Sequence, residues 1–123
     1  MGSSVHDADE WQTRLTDNGI WVEQLLENQK NNVLATVIFG HANMTENGAD
    51  KFKPFTDIFR NAALNFNKPV LYIHGDGHFW LNNKPWPEQN IIRVQINGGA
   101  DALKVMINTE LENPFSFDNT FLD

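Results

Sequence analysis

The chain contains no cysteine. Disulfides and thiolate metal sites are therefore excluded, and a metal would have to take His, Asp, Glu or Asn. Positive charge is scarce. Nine Lys and Arg stand against 16 Asp and Glu, for a formal net charge of -7 and a sequence pI near 4.9. Such a surface repels phosphate backbones and anionic headgroups, which excludes nucleic-acid binding by a basic face. A protein of this charge that handles a negative substrate needs a local cation, and a bound metal ion is the usual one. Long apolar runs are absent too. None approaches the roughly 20 residues of a membrane span. The start, MGSSVHDADEW, is polar and acidic, unlike a secretory signal, so the chain reads as soluble with no mark of its compartment. No internal repeat or low-complexity tract occurs.

What is present suits one small domain. The 123 residues are 41% apolar and include nine Phe, four Trp and one Tyr, enough for a single core. Residues 1–13 are expected to be frayed, and 14–123 to form one domain. Trp11, Leu15, Trp21, Val22, Leu25 and Leu26 form a helical pattern that Asn18-Gly19 interrupts. The expectation is a broken helix whose better half starts near Asp17 or Asn18 and runs to about Gln29.

VLATVIFG, residues 33–40, is β-branched, nearly unbroken and uncharged, as in a strand buried on both faces of a parallel sheet. HANMTENGAD, residues 41–50, reads as a loop. Phe52, Phe55, Ile58, Phe59, Ala62, Ala63 and Phe66 recur in steps of three and four, which predicts a helix ending at Asn67 ahead of Pro69. PVLYIH, residues 69–74, is a second buried strand. Strand, helix, strand implies parallel neighbours. FWLNNKPW suggests a short strand and a turn at Asn82-Asn83. NIIRVQI (90–96) and ALKVMIN (102–108) are two more strands around Asn97-Gly98-Gly99. Pro114, Phe115, Phe117 and Phe121 belong to an extended, packed tail. The fold class is α/β: a parallel strand–helix–strand unit followed by antiparallel strands.

In an open α/β sheet, ligands bind at the carboxyl ends of the strands. His41 opens the segment after the first buried strand. His74, Asp76 and His78, in IHGDGH, follow the second. Three of the four histidines thus fall on one edge of one sheet. His74 and His78 have the spacing of a shared helix face, but Gly75 and Gly77 argue against a helix there. In a turn, those glycines let neighbouring side chains converge. His, Asp and His suit a divalent cation such as Mn, Zn or Fe, with Asp76 either a ligand or a partner that orients a histidine. The bland reading is a polar glycine turn between strands. His6 has no assigned role, and the Phe face of 52–66 is core. Trp80 and Trp86 are read as packing residues rather than the rim of a site. Arg93 is a surface charge by default, with a phosphate contact as its sharper reading. Asn43 is a candidate oxygen ligand.

VIFGHAN, the helix, KPVLYIHGDGHFW, the KPW turn, NIIRVQINGG and ENPFSFD together resemble the C-terminal part of calcineurin-like metallophosphoesterases. The resemblance spans roughly residues 14–118. It implies a partial metallophosphoesterase-like sandwich of two sheets flanked by helices. It also implies a two-metal site that clamps a phosphate ester. By this likeness His41 and His78 are catalytic metal ligands. The family's closing Gly-His-x-His corresponds to Gly75, Asp76, Gly77 and His78, so Asp76 stands where a histidine is usual. His74 is additional to that pattern and completes a candidate metal set of His41, His74, Asp76 and His78. The family's earlier Asp-x-His, Gly-Asp and Gly-Asn-His motifs are not in this sequence. The expectation is therefore a C-terminal portion carrying about half of the site.

Two functions follow as expectations. One is a metal-dependent phosphoester hydrolase acting on a phosphate-ester small molecule, completed by an N-terminal half. The other is a non-catalytic remnant or interaction module of the same fold, associating through an open sheet edge, for instance as a homodimer. A non-haem iron oxygenase is disfavoured. His74-Gly75-Asp76 is His-x-Asp, but no histidine follows residue 78 and the helix at 51–66 is foreign to an all-β barrel.

Overall fold

The computed structural model describes residues 5–40, 44–45, 49–75, 80–96 and 103–118, with side chains from residue 9 onward. The chain divides into two compact units. The first comprises residues 1–32 and 44–66, the second 33–43 and 67–123.

The first unit is helical. Helix α1 spans Val5–Gln29 without a break. The expected break at Asn18-Gly19 is corrected, and the helix includes residues 5–13 of the stretch expected to be frayed. Trp11 explains the early start. Its ring meets Phe52 edge-on at 5.6 Å, and its Nε1 donates to the Lys51 carbonyl at 3.3 Å. Gly19 is a packing residue rather than a breaker. A Cβ there would lie 3.1 Å from the Ile58 Cβ and 3.2 Å from its Cδ1. Helix α2, Lys53–Phe66, follows a 3-10 turn at Ala49–Phe52. It buries Phe55, Phe59, Ala62, Ala63 and Phe66, as the steps of three and four predict. Asn67 ends it with a positive φ of 54°, the left-handed position that stops many helices.

The close approach at Gly19 gives a test. Gly19→Leu should lower stability by about 1–3 kcal/mol in urea unfolding, because the larger side chain has to push Ile58 away. Gly19→Ala should be near neutral, since a helix-propensity gain of about 1 kcal/mol offsets the crowding. A Leu variant as stable as the wild type would contradict the packing of α1 on α2 at this point.

The second unit holds two sheets. Strands β1 (Thr36–Phe39), β2 (Val70–His74), β3 (Leu81–Asn83) and β4 (Ile91–Gln95) form one, in the order β1-β2-β4-β3. β1 and β2 are parallel neighbours, and the chain between them passes through α2. β4 also lies parallel to β2, with Tyr72 opposite Arg93 and His74 opposite Gln95. It was expected among antiparallel strands. β3 runs antiparallel to β4, and Asn83 faces Arg93 in register, so Asn82-Asn83 is strand and not turn. The second sheet pairs β5 (Lys104–Ile107) with β6 (Phe115–Asp118), antiparallel. The closing tail is therefore partly a strand.

β2 and β4 are buried at every position, β2 as its continuous apolar run predicts. β1 is not. It is an edge strand, half-buried, with Phe39 78% exposed. Leu71, Ile73, Ile92 and Val94 line one face of the four-stranded sheet. They pack with Phe115 and, around them, Val37, Trp80, Val105 and Phe117. Trp80 meets Phe117 edge-on at 5.9 Å, which bears out its reading as a packing residue. No helix among the described residues is long and apolar enough to cross a membrane.

Candidate functional site

Strand alternation puts Val70, Tyr72 and His74 of β2 on the face opposite that apolar cluster, with Ile91, Arg93 and Gln95 of β4 beside them. Four of these six are polar. Toward the carboxyl ends of two parallel strands, the sheet thus carries a buried polar row.

β1 and β2 end side by side. The Gly40 amide donates to the Ile73 carbonyl at 2.9 Å. β1 ends at Phe39 and β2 at His74. Of the candidate residues, His41, Asn43, Asp76 and His78 lie outside the described residues. Among the described residues, no three His, Asp or Glu converge on a common point.

His74 is described, and it is 1% exposed. Its ring stacks on Tyr72, with centroids 5.3 Å apart and planes 24° apart. Nδ1 lies 2.8 Å from the Gly75 carbonyl oxygen. That oxygen can only accept, so Nδ1 carries a proton. Nε2 lies 3.5 Å from Arg93 Nη1. The guanidinium can only donate, so Nε2 presents its lone pair. The two contacts fit an imidazole that carries its proton on Nδ1.

Arg93 is 3% exposed, so the reading of a surface charge is corrected. Its Nε donates to Asn83 Oδ1 at 2.9 Å. A buried cation requires such partners, because unpaired it would cost several kcal/mol, on the order of the desolvation of one ion. Among the described residues, no buried side-chain nitrogen or oxygen lacks a hydrogen-bond partner. The signal for this row was present in the sequence. Arg93 and Gln95 interrupt an otherwise apolar strand at a spacing of two, which puts both on one face.

Gly40 completes the arrangement. A Cβ there would collide with the Tyr72 hydroxyl and lie 2.8 Å from its Cε1. The missing side chain leaves the space in which the Tyr72 ring lies across the end of β1.

A cleft of about 410 Å³ lies at the opposite edge, near the amino ends of β2 and β4. Lys68, Lys84, Asn90 and Glu112 are among its lining residues. Several of its polar groups brace the backbone. Lys68 Nζ donates to the Val33 carbonyl at 2.7 Å, and Asn90 Nδ2 to the Lys68 carbonyl at 3.0 Å. The cleft reads as a joint between strand ends, and the carboxyl edge is the stronger candidate. Comparison with protein-family models, with curated proteins and with solved structures finds no match to this chain.

Proposed function

We propose that the chain is the C-terminal portion of a metal-dependent phosphoester hydrolase of the calcineurin-like type, carrying about half of a two-metal site. The observation that supports this most is the parallel pairing of β1 with β2. It sets Gly40 beside the end of β2, and in the sequence His41 follows Gly40 while Asp76 and His78 follow Gly75. The donor set is imidazole and carboxylate, which suits Mn, Zn or Fe. His41 and His78 would hold the metal, with Asp76 as a further ligand or as an orienting partner.

His74 has a different part in this reading. Both ring nitrogens are engaged and a guanidinium stands beside one of them. A metal on His74 would have to displace one of these contacts, or sit against a cation. His74 instead braces the strand end from which Asp76 and His78 follow. A bound divalent ion would supply Lewis acidity toward a phosphoryl oxygen and a more acidic bound water. It would also supply the positive charge that a chain of net charge -7 needs near a phosphate ester.

Inorganic phosphate is the direct probe. It should bind in calorimetry only once Mn or Zn is present, and His78→Ala should abolish that binding. Phosphate that fails to bind at saturating metal would sink this reading.

A second reading has its own observation. β1 is an edge strand in an uncharged stretch, and Leu34 and Phe39 are 65% and 78% exposed. Edges of this kind usually carry a charge that discourages pairing. The reading is an interaction module that pairs through β1, with a second copy or a complementing N-terminal half. Concentration-dependent association in sedimentation, lost in Val37→Pro, would favour it. A monomer at all concentrations would remove the homodimer.

A further inference from the structure

We propose that Arg93 and Asn83 form a positioning pair that fixes His74 as its Nδ1–H tautomer and, through it, the backbone at Gly75 where the segment bearing Asp76 and His78 begins. The chain of contacts is continuous. Asn83 Oδ1 accepts from Arg93 Nε at 2.9 Å, Arg93 Nη1 donates to His74 Nε2 at 3.5 Å, and His74 Nδ1 donates to the Gly75 carbonyl at 2.8 Å. Three residues from three adjacent strands thus connect the outer strand β3 to the end of β2.

The residue types suit this role better than a packing role. Position 93 sits between Ile92 and Val94, both buried, and an aliphatic side chain would fill it without burying a cation. Arginine brings a planar fork with separate donors, so one donor can hold Asn83 while another meets His74. Lysine has one compact ammonium and cannot reproduce both directions. Asn83 is exposed while its amide oxygen is committed to Arg93, so it anchors the guanidinium from the rim of the sheet. At 3.5 Å the Arg93–His74 contact is long, and its effect is electrostatic: a cation facing Nε2 disfavours a proton on that nitrogen. The stacked Tyr72 ring removes the remaining freedom of the imidazole.

The consequence for the metal arm rests on the phosphoesterase reading; the tautomer does not. Partners of this kind orient the groups that hold a metal, and their loss typically costs about 10- to 100-fold in affinity. The experiment uses the whole chain labelled with 15N. Long-range 1H–15N spectra of the imidazoles report which ring nitrogen carries the proton, and His74 is assigned by the signal lost in His74→Gln.

The wild type should show Nδ1–H at His74. Asn83→Ala and Arg93→Lys should each shift it toward a mixture of tautomers, with circular dichroism and melting temperature showing that the fold is kept. In the same variants, Mn or Zn affinity should fall about 10- to 100-fold. A wild-type His74 with its proton on Nε2, or an Nδ1–H form that survives both substitutions, would overturn the proposal. If Arg93→Lys fails to fold, Asn83→Ala, altered at an exposed side chain, decides alone. A wild type that binds no metal would sink the phosphoesterase reading and leave the tautomer result to judge the positioning pair.

Discussion

Phe59→Ala should lower the unfolding free energy by about 3–5 kcal/mol, the largest effect expected of any substitution considered for this chain. Phe59 is fully buried and stacks on Phe55, with centroids 5.6 Å apart and planes 16° apart. Its neighbours along the buried face of α2 are Ala62, Ala63 and Phe66. Alanines cannot swing in to fill the space a phenyl ring leaves. The cavity therefore stays largely open, and its cost adds to the lost transfer free energy. Domains of this size have roughly 5–15 kcal/mol of stability in all, so the variant would sit near the threshold of folding. Leu64→Ala is the control. It lies on the same helix but is 56% exposed, and it should stay within about 0.5 kcal/mol of the wild type. Urea unfolding measures both. A loss at Phe59 no greater than at Leu64 would contradict the helical core.

Gly40→Val should cost about 1–3 kcal/mol. Its effect should extend into the site. The added carbon would collide with the Tyr72 hydroxyl and press on the ring at 2.8 Å and 3.0 Å. Tyr72 is 3% exposed and its ring is stacked on His74, so moving it disturbs that contact. Either β1 shifts at its end or the ring leaves its place beside the imidazole. Tyr72→Phe removes the nearest clashing atom. The double variant should therefore lose less than the sum of the two single changes, a coupling that a double-mutant cycle reads directly. Strict additivity would mean that Gly40 and Tyr72 do not meet.

These predictions rest on elements of unequal legibility. The Phe face of α2 could be read from spacing alone, because a helix that buries one side has to repeat every three or four residues. β1 and β2 could be read as apolar runs, and their parallel pairing from the helix between them. Other elements depended on tertiary facts. Gly19 looks like a break until Ile58 is seen lying against it. Asn97-Gly98-Gly99 resembles a hairpin turn. Yet β4 pairs with β2 and β3, and β5 pairs with β6. Asn82-Asn83 has turn composition, and the Asn83–Arg93 contact shows why it is a strand instead. β1 has the composition of a central strand but stands at an edge.

The site divides in the same way. His74 was singled out because it ends an apolar strand. Tyr72, Asn83 and Gln95 carry no such mark, and Arg93 reads by default as a solvated charge. Only the fold shows that Tyr72, Arg93 and Gln95 share a buried face with it.

The central claim is that the carboxyl edge of β1 and β2 holds a divalent metal. The most direct test is to count Mn or Zn bound per chain in the wild type and in His41→Ala and His78→Ala, with Leu64→Ala as the surface control. Stoichiometric binding that both histidine substitutions abolish, and that the control keeps, is the predicted result. No binding in the wild type, or binding indifferent to both histidines, would contradict the claim and leave the interaction module as the reading of this fold.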